Sequence, residues 1–456
     1  MTPGNPPSAV PAFPETVPFD PAAHLDFLGA IQGNILKGHG RKYSRLLFVR
    51  FHGRRTDPGT LFRGALERGL ITSAAEQKQQ ALSGDRGQGF FSLLLTKEFF
   101  FLFKRPFPPE AIEAFRGGAY MRMGGRAGTA GWEPVYRRHP HGIWLLAHEN
   151  VAGLQTMTRA VRRLASEHHV TILRSREEGL RWHDENDPKA LREPFGFRDG
   201  ISQSAFLLPD TAAHPAVQLP LAQVLIPNGD HAGGSYFVLQ KLEQNVSAFR
   251  AFETRMRAQL PQLPPVRSPG ALLVGRERDG TPLAAGRTQL TNDFDFSADP
   301  SGGRCPFHAH IRKANPRGDT PLEDAAAVRS RQFVRRGVVY DTKGQLPPHA
   351  SADYAAGDRI TGDVGLLFMG YMADITLQFE HMRLSWLENP DFPSSTDQMP
   401  DPVLNRSGAA AGEWRWTMDP SATPPRTVTV PGMPRFIASR GAVFCYAPSV
   451  AWLRRQ

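Results

Sequence analysis

The spacing of apolar and polar residues predicts alternating strands and helices. Apolar runs bounded by turn residues indicate strands, and apolar residues that recur every three or four positions indicate helices. In the first half of the chain, the predicted strands are Arg45–Phe51, Phe90–Leu95, Phe99–Phe103, Gly142–His148 and Val170–Leu173, and the predicted helices lie within Thr60–Leu82, Pro108–Phe115 and Val151–His168. The two phenylalanine-rich runs are expected to be paired or long buried strands.

The second half repeats this alternation more loosely. Its predicted strands are Ser235–Gln240, Gly365–Tyr371 and Gly441–Tyr446, and its predicted helices are Val246–Met256 and Ile375–Leu387. In the second of these helices, Phe379, Met382 and Trp386 are expected to share one face. The two halves together predict an α+β protein, and the order of elements in the first half is similar to a ferredoxin-like unit with additions.

Two breaks divide the chain into three predicted parts. Residues 1–21 contain seven prolines, which predicts a flexible arm over residues 1–27. The polar run Trp182–Pro188 indicates a boundary between an N-terminal domain at 28–190 and a C-terminal domain at 191–456. The N-terminus shows no basic and apolar stretches of a secretory signal and no twin arginine, so we expect a cytoplasmic protein.

The composition is that of an ordinary globular protein, with 40% hydrophobic and 21% charged residues among 456. Two cysteines, Cys305 and Cys445, are too few for a disulfide framework or a four-cysteine metal site. No apolar run reaches the roughly 18 residues of a membrane-spanning helix. The net charge of +10 comes from scattered basic residues without a nucleic-acid-binding motif, so the sequence predicts neither a nucleic acid nor a membrane as partner.

The stretch Gly196-Phe197-Arg198-Asp199-Gly200 is the first of three segments that could carry chemistry. An Asp-Gly pair flanked by another glycine is typical of a turn. The same glycines would also let the backbone approach a flat or bulky ligand, because they carry no Cβ atom. Asp199 would then be a carboxylate held close to that ligand.

The second segment, Cys305–Arg317, contains two histidines two positions apart. If this segment is a strand, His308 and His310 share one face, with a spacing found among metal ligands. Either histidine could instead bind a haem iron through its neutral imidazole, or be an ordinary buried or exposed side chain. The residues themselves leave these alternatives open.

In the third segment, Phe333–Tyr340, Arg335 stands at the edge of an apolar run. Such an arginine usually extends along the surface to reach water. Alternatively, it is a fixed cation in a dry cavity, where it would stabilise negative charge that develops on an oxygen atom. From the residues alone, the sequence predicts an α+β protein that depends on a metal ion or on haem.

Taken together, the three segments resemble the dye-decolorizing peroxidase family of haem proteins, in its longer-chain bacterial and fungal class. The first segment is similar to the family's G-x-x-D-G motif, the second to its proximal-histidine segment, and the third to its distal-arginine segment. Further similarity lies at Ile31–Gly38, Gly365–Tyr371, Asn389–Pro393 and Arg440–Phe444. The resemblance therefore runs from about residue 28 to about residue 450.

This resemblance implies two ferredoxin-like domains of the dimeric α+β barrel type, with one haem b per chain in the C-terminal domain. It implies that His310, which precedes Ile-Arg-Lys, is the iron ligand. Asp199 would be the distal acid–base group, and Arg335 would be the distal charge stabiliser. Asp401 is a candidate for the carboxylate that accepts a hydrogen bond from the ligand histidine. Leu366 and Phe368 would form an apolar wall beside the haem.

The implied activity is the reduction of hydrogen peroxide, through a high-valent iron–oxo intermediate, with oxidation of dyes and of phenolic or other aromatic compounds. Electrons from bulky dyes would travel through aromatic side chains, with Tyr340, Tyr371, Trp386 and Trp452 as candidates. The positive charge of the chain would favour anionic dyes. Gly337 departs from those relatives that carry an asparagine near the peroxide. The oligomeric state does not follow from the sequence.

Two other functions stay open at this stage. A haem-binding or haem-handling protein would have only weak peroxidase activity and would need neither Asp199 nor Arg335. A non-haem metal protein would use His308 and His310 together, and it would lose its metal when either histidine is replaced.

Overall fold

The computed structural model describes residues 9–83, 89–109, 112–124, 128–175, 177–208, 218–259, 268–286, 290–317, 320, 323–404 and 412–456. In these ranges the strands are β1 (Tyr43–Phe51), β2 (Phe90–Thr96), β3 (Gly142–His148), β4 (Val170–Ile172), β5 (Glu178–Leu180), β6 (Leu191–Arg192), β7 (Arg198–Asp199), β8 (Ser235–Gln244), β9 (Val334–Arg335), β10 (Val338–Asp341), β11 (Val364–Met372), β12 (Gly412–Asp419), β13 (Arg426–Met433) and β14 (Ile437–Ala447). The α-helices are Leu25–Ala30, Pro58–Glu67, Ala74–Leu82, Lys97–Phe103, Ile112–Arg122, Pro134–Arg137, Val151–Glu167, Val246–Gln259, Ala271–Val274, His310–Ala314, Ala325–Ser330 and Val450–Arg455. None of these described helices combines the length and the apolar character that a membrane span requires.

Eight of the described strands form a closed antiparallel ring. Their order is β10, β5, β1, β3, β2, β14, β8 and β11, and β11 pairs again with β10. Because a closed sheet has no unpaired edge, the ring removes the exposed backbone groups through which sheets associate. The short strands β4 and β9 pair with β1 and β11 beside the ring. This mixture of helices with a large antiparallel sheet agrees with the predicted α+β class.

Both predicted domains contribute strands to this ring. β1, β2, β3 and β5 precede residue 190, and β8, β10, β11 and β14 follow it. In the predicted N-terminal arm, Phe19 is buried, and its backbone forms hydrogen bonds with Phe206 and Leu208. The arm and the domain boundary at residue 190 stay predictions.

The apolar run Phe99–Phe103 is helical, so the prediction of a strand there was wrong. Thr96 caps this helix, because its hydroxyl accepts a backbone N–H of the first turn. Phe99 and Phe103 are four positions apart, and both contact the ring of Phe51. A helix in which nearly every position is aromatic has the same apolar pattern as a buried strand.

The predicted helix Ile375–Leu387 consists of two π-helical turns. Turns of this kind are rare, and they often occur at functional sites. Phe379 and Met382 line a cavity, whereas Trp386 packs flat against Phe392. The segment therefore forms a wall with one surface toward the cavity and an aromatic stack behind it.

The predicted helix over Thr60–Leu82 is divided into two helices. Gly69 ends the first with a positive φ of 63°. Ser73 begins the second, because its hydroxyl accepts the N–H of Glu76 and the Glu76 carboxylate accepts the N–H of Ser73. The helix predicted near Pro108 lies at Ile112–Arg122, and the other predicted strands and helices are confirmed.

β8 separates the cavity from a buried polar cluster. Gln240 and Leu242 line the cavity, and Lys241 between them points to the opposite face of the strand. The Lys241 ammonium lies 2.8 Å from Oε1 of Glu133 and 3.0 Å from Oε2 of Glu177. Burial raises the pKa of Glu177 to about 7, against the opposing attraction of Lys241.

We expect the substitution Glu177→Gln to weaken the pH dependence of stability. The folded protein binds the Glu177 proton more tightly than the unfolded chain does, so the wild-type free energy of unfolding falls as pH rises from about 4.5 to about 7. The raised pKa of Glu177 corresponds to a change of about 3 kcal/mol in the free energy of unfolding. The glutamine variant lacks this change because glutamine does not ionise. Melting temperatures at pH 5 and pH 8 measure the effect, with the exposed neighbour Glu178→Gln as control. An unchanged pH dependence in Glu177→Gln would contradict the prediction.

Candidate functional site

His310 is oriented by a buried carboxylate. It is the first residue of its helix, and its ring nitrogen Nδ1 lies 2.5 Å from Oδ2 of Asp401. The other carboxylate oxygen of Asp401 accepts the N–H groups of Val403 and Leu404 at 2.7 and 3.0 Å. With Nδ1 paired to this fixed carboxylate, Nε2 is the nitrogen left for a metal ion. The pairing of Asp401 with His310 agrees with the sequence prediction.

Two buried cations hold the His310 helix between neighbouring loops. Arg312 donates to the carbonyl of Cys305 at 2.6 Å and to the carboxylate of Asp299 at 3.1 Å. Lys313 donates to backbone carbonyls of the loop 389–399. Charged side chains are rarely buried unless they are paired, so these bonds fix the position of the short helix.

A cavity of about 100 Å³ lies beside His310. Apolar side chains form most of its walls, among them Leu242, Phe333, Phe368, Phe379, Met382 and Leu404. His310 and Arg335 are both part of the lining, so the structure brings two of the predicted site residues to one apolar space.

Leu366 and Phe368 lie on the cavity side of β11. Both are partly exposed, whereas Leu367 and Met369 between and beyond them are completely buried. The alternation of the strand therefore places both apolar side chains on the same face. Phe368 belongs to the cavity lining, and Leu366 packs beside it against the C-terminal core. Of the two, Phe368 alone lines the described cavity, and the apolar wall stays a prediction.

Arg335 connects β9 to the loop that carries Asp199. Its Nη2 donates to the backbone carbonyl of Ser202 at 2.7 Å. Burial lowers the pKa of Arg335, and the negative charge of Asp199 opposes that shift. The two predicted distal groups are therefore close enough to interact electrostatically. Asp199 itself is not among the described residues that line the cavity.

The loop around Asp199 depends on its two glycines. Gly196 and Gly200 have φ values of 96° and 76°, a region that glycine adopts readily. A Cβ atom on Gly196 would lie 2.3 Å from the carbonyl oxygen of Ala352. Oδ1 of Asp199 accepts the N–H of Gly200 at 2.7 Å, which fixes the carboxylate on this turn. The glycine turn therefore also fixes the position of the Asp199 carboxylate.

His308 has surroundings quite different from those of His310. The segment is a turn that leads into a helix, so the prediction that both histidines share one face of a strand was wrong. His308 is buried, with Nδ1 3.6 Å from Oδ2 of Asp397 and its ring edge-on to Trp414. In the described part of the chain, no group of three or more His, Cys, Asp or Glu side chains could hold a metal ion.

The four aromatic residues suggested as electron carriers are all buried: Tyr340, Tyr371, Trp386 and Trp452. Burial raises the pKa of Tyr371 to about 12, and it also raises the pKa of Tyr340. The Lys241 ammonium lies 4.8 Å from the centre of the Tyr340 ring. None of these four rings is presented to solvent, and their roles stay predictions.

Sequence reasoning missed several residues that complete the cavity. Phe333 stands at the start of the distal-arginine segment, but nothing in an apolar run distinguishes it from a core residue. Arg383 and Glu388 both line the cavity and form an ion pair at 2.8 Å. They are five positions apart, which is the spacing of a π-helix, and a search for α-helical pairs at three or four positions does not find them.

The donor set fits a flat, apolar group that carries its own metal ion. A metal site built from side chains alone needs three or four protein ligands. A haem iron needs only one imidazole on one side, because the ring nitrogens supply its other ligands. His310 with its paired carboxylate provides that imidazole, and the apolar walls suit the faces of the ring.

Sequence comparison places the chain among known peroxidases. No protein-family model matches it. The multifunctional dye peroxidase DyP2 of Amycolatopsis sp. is 33% identical over 460 residues, which cover 94% of this chain and 95% of the relative. The dye-decolorizing peroxidase msp1 of Mycetinis scorodonius is 28% identical, over 72% of this chain and 68% of the relative.

Solved structures show the same relationship. DyP2 from Amycolatopsis superposes with a TM-score of 0.81 at 32% identity, covering 94% of this chain and 96% of that one. The DyP-type peroxidase of Anabaena sp. has a TM-score of 0.81 at 26% identity, over 98% of both chains. Their ferredoxin-like α+β fold is the one predicted from the sequence. The chain therefore belongs to the dye-decolorizing (DyP-type) peroxidases, which are haem-dependent oxidoreductases that act on hydrogen peroxide.

Proposed function

We propose that this chain binds one haem b through Nε2 of His310 and reduces hydrogen peroxide while it oxidises dyes and phenolic or other aromatic compounds. The observation that carries this proposal is the pairing of His310 with Asp401 beside a cavity whose lining also includes Arg335. An oriented imidazole and a cation thus border one apolar space. Neither storage nor transport of haem would require the cation.

When bound, haem supplies an iron that accepts oxidising equivalents from peroxide and passes them to a reductant. His310 would hold this group, and Asp401 would accept a hydrogen bond from its Nδ1–H, which makes Nε2 a stronger donor to the metal. Leu366 and Phe368 would exclude water from the face of the ring. Exclusion of water strengthens the electrostatic interactions inside the site.

Asp199 and Arg335 would divide the work of proton transfer and charge stabilisation. We assign to the Asp199 carboxylate the removal of a proton from one peroxide oxygen and its delivery to the other, which leaves as water. Because Asp199 lies outside the cavity lining, a water molecule would bridge it to the peroxide. The Arg335 guanidinium would stabilise the negative charge that develops as the O–O bond breaks. The electrostatic effect of Asp199 on Arg335 supports this division.

Hydrogen peroxide and the reductants would react at different places. Hydrogen peroxide is small enough to enter the cavity, whereas bulky dyes would transfer electrons from the protein surface. The Amycolatopsis relative is a multifunctional dye peroxidase, and we infer the same class of substrate here. The net charge of +10 would attract anionic dyes.

Absorption spectra of the haem-loaded protein, before and after one equivalent of hydrogen peroxide, test the proposal. We expect a Soret band that shifts on mixing and returns when a phenolic or dye reductant is added. Haem analysis should give one haem per chain. A Soret band that does not respond would instead support a haem-handling protein, and the absence of a Soret band despite haem supply would overturn the proposal.

A further inference from the structure

Arg336 follows the distal arginine and joins three separate segments. Its Nε and Nη2 donate to the backbone carbonyls of Asn34 and Ile35 at 2.9 and 2.8 Å. Its Nη1 donates to the side-chain carbonyl of Gln203 at 3.1 Å and to the backbone carbonyl of Arg335 at 2.9 Å. One guanidinium therefore connects the N-terminal segment, the loop after the G-x-x-D-G motif and the strand of the distal arginine.

The N-terminal segment is a firm anchor for these bonds. Asn34 has a φ of 67°, and its N–H donates to Oε1 of Gln77 at 2.6 Å, while its own Oδ1 accepts the N–H of His39 at 3.0 Å. A Cβ atom on the preceding Gly33 would lie 2.5 Å from Oε1 of Gln77 and 2.7 Å from the ring of Phe90. The turn is therefore closely packed against the N-terminal half of the chain.

The two arginines bind two consecutive residues of the Asp199 loop. Arg335 donates to the carbonyl of Ser202, and Arg336 donates to the side chain of Gln203. β9 itself is only two residues long, and its partner opposite Arg335 is Gly370, which has no side chain to pack against it. The Arg336 N–H also donates to the Met369 carbonyl of β11 at 2.7 Å, so the side-chain bonds of the two arginines add to the pairing with the sheet.

We propose that Arg336 is a positioning residue for the reaction with peroxide, which ties Arg335 and the Asp199 loop to residues 31–39 and so fixes their separation. The inference rests on the proposed function, because it concerns the two groups to which that function assigns the peroxide. Arg336 is not part of the described cavity lining, so it acts through its neighbours. Arginine suits this role because its planar fork presents five N–H donors in fixed directions.

The variants Arg336→Gln and Arg336→Lys of the haem-loaded protein test this role. The rate constant for reaction with peroxide is measured from the Soret change, and KM is measured for a dye reductant. We expect Arg336→Gln to slow the peroxide reaction by up to about 100-fold, because a small displacement of reacting groups has effects of that size. KM for the dye should not change. Arg336→Lys keeps the charge and a single donor nitrogen, and it should recover part of the rate.

A matched control is Arg45→Gln. Arg45 also joins two segments, since it donates to Glu178 at 2.6 and 3.0 Å and to Thr158 at 2.8 Å, but it lies on β1 in the N-terminal half. We expect this variant to react with peroxide at the wild-type rate. A comparable loss in Arg45→Gln and Arg336→Gln would show a general structural effect and would overturn the positioning role.

Hydrogen–deuterium exchange gives a second readout that does not depend on activity. In both the haem-free and the haem-loaded protein, Arg336→Gln should speed exchange of backbone amides in residues 31–39 and 199–203, and Arg45→Gln should not. Unchanged exchange in these two segments would contradict the idea that Arg336 holds them together. If the glutamine variant does not fold, the lysine variant gives the same comparison.

A double-mutant cycle separates this inference from the proposed function. Since Arg336 acts by fixing the separation of Arg335 from the Asp199 loop, adding Arg336→Gln to Arg335→Leu should slow the peroxide reaction less than it does in the wild type. Equal losses in both backgrounds would overturn the positioning role. A wild-type rate in Arg335→Leu alone would instead contradict the function proposed for Arg335. A slow Arg335→Leu with a normal Arg336→Gln would contradict only the inference about Arg336.

Discussion

Replacing His310 with alanine is expected to remove the normal haem spectrum and to reduce peroxide turnover by more than about 100-fold. His310 supplies the imidazole of the described cavity lining, and His308 cannot replace it because it is buried against Trp414. Loss of a residue that only supports a metal ligand costs about 10- to 100-fold in affinity or activity, so loss of the ligand itself should exceed that range. Absorption spectra and haem content after purification measure the effect.

Two further variants make this result specific. His308→Ala is the same substitution two positions away, and we expect it to keep the Soret band and the peroxide reaction, with a lower melting temperature because packing against Trp414 is lost. Asp401→Asn keeps the shape of the carboxylate but not its charge, and it should weaken haem affinity or activity about 10- to 100-fold. An unchanged spectrum and turnover in His310→Ala would contradict the assignment of the iron ligand.

The choice between His308 and His310 illustrates what the sequence could and could not predict. The spacing of the two histidines does not show which of them is the ligand. Only the similarity to a family motif favoured His310. In the structure a helix begins at His310, which turns that side chain toward the cavity, whereas His308 stays in the preceding turn and is buried. The local conformation that separates them is set by the anchoring of Arg312 and Lys313, which no periodicity reveals.

The local pattern of apolar and polar residues also could not predict contacts between distant parts of the chain. Asp401 is 91 positions from His310, and Ser202 is 133 positions from Arg335. Such pairs meet only in the folded chain, and the pattern of apolar residues does not specify them. The apolar runs did predict β1, β3 and β11, because most positions of these strands are buried.

Charged residues near the site are more enclosed than their charge alone would predict. Arg312 and Lys313 are completely buried, and Arg336 is largely enclosed by the segments that it joins. In most proteins charged residues lie at the surface, so a sequence reading assigns them to solvent. Here the burial of each cation follows from several bonds to backbone carbonyls, which become available only when the loops are in place.

Arg335→Leu is expected to keep haem but to slow the reaction with peroxide about 10²- to 10³-fold, the usual cost of losing one group that stabilises developing charge. Leucine preserves apolar packing on β9, and attachment of haem depends on His310, which lies on a different element. Stopped-flow measurement of the Soret change gives the rate constant. A variant that loses haem as well would show that Arg335 supports the cavity itself.

Asp199→Asn should slow the same step about 10²- to 10⁴-fold, because asparagine cannot take up and return the proton. Asp358→Asn, whose carboxylate is 72% exposed and paired with Arg250, is the control and should react normally. Since Asp199 and Arg335 are assigned to the same peroxide molecule, the double variant should lose less than the product of the two single losses. A fully multiplicative loss would mean that proton transfer and charge stabilisation occur in separate steps. A wild-type rate in one single variant would assign the whole step to the other residue.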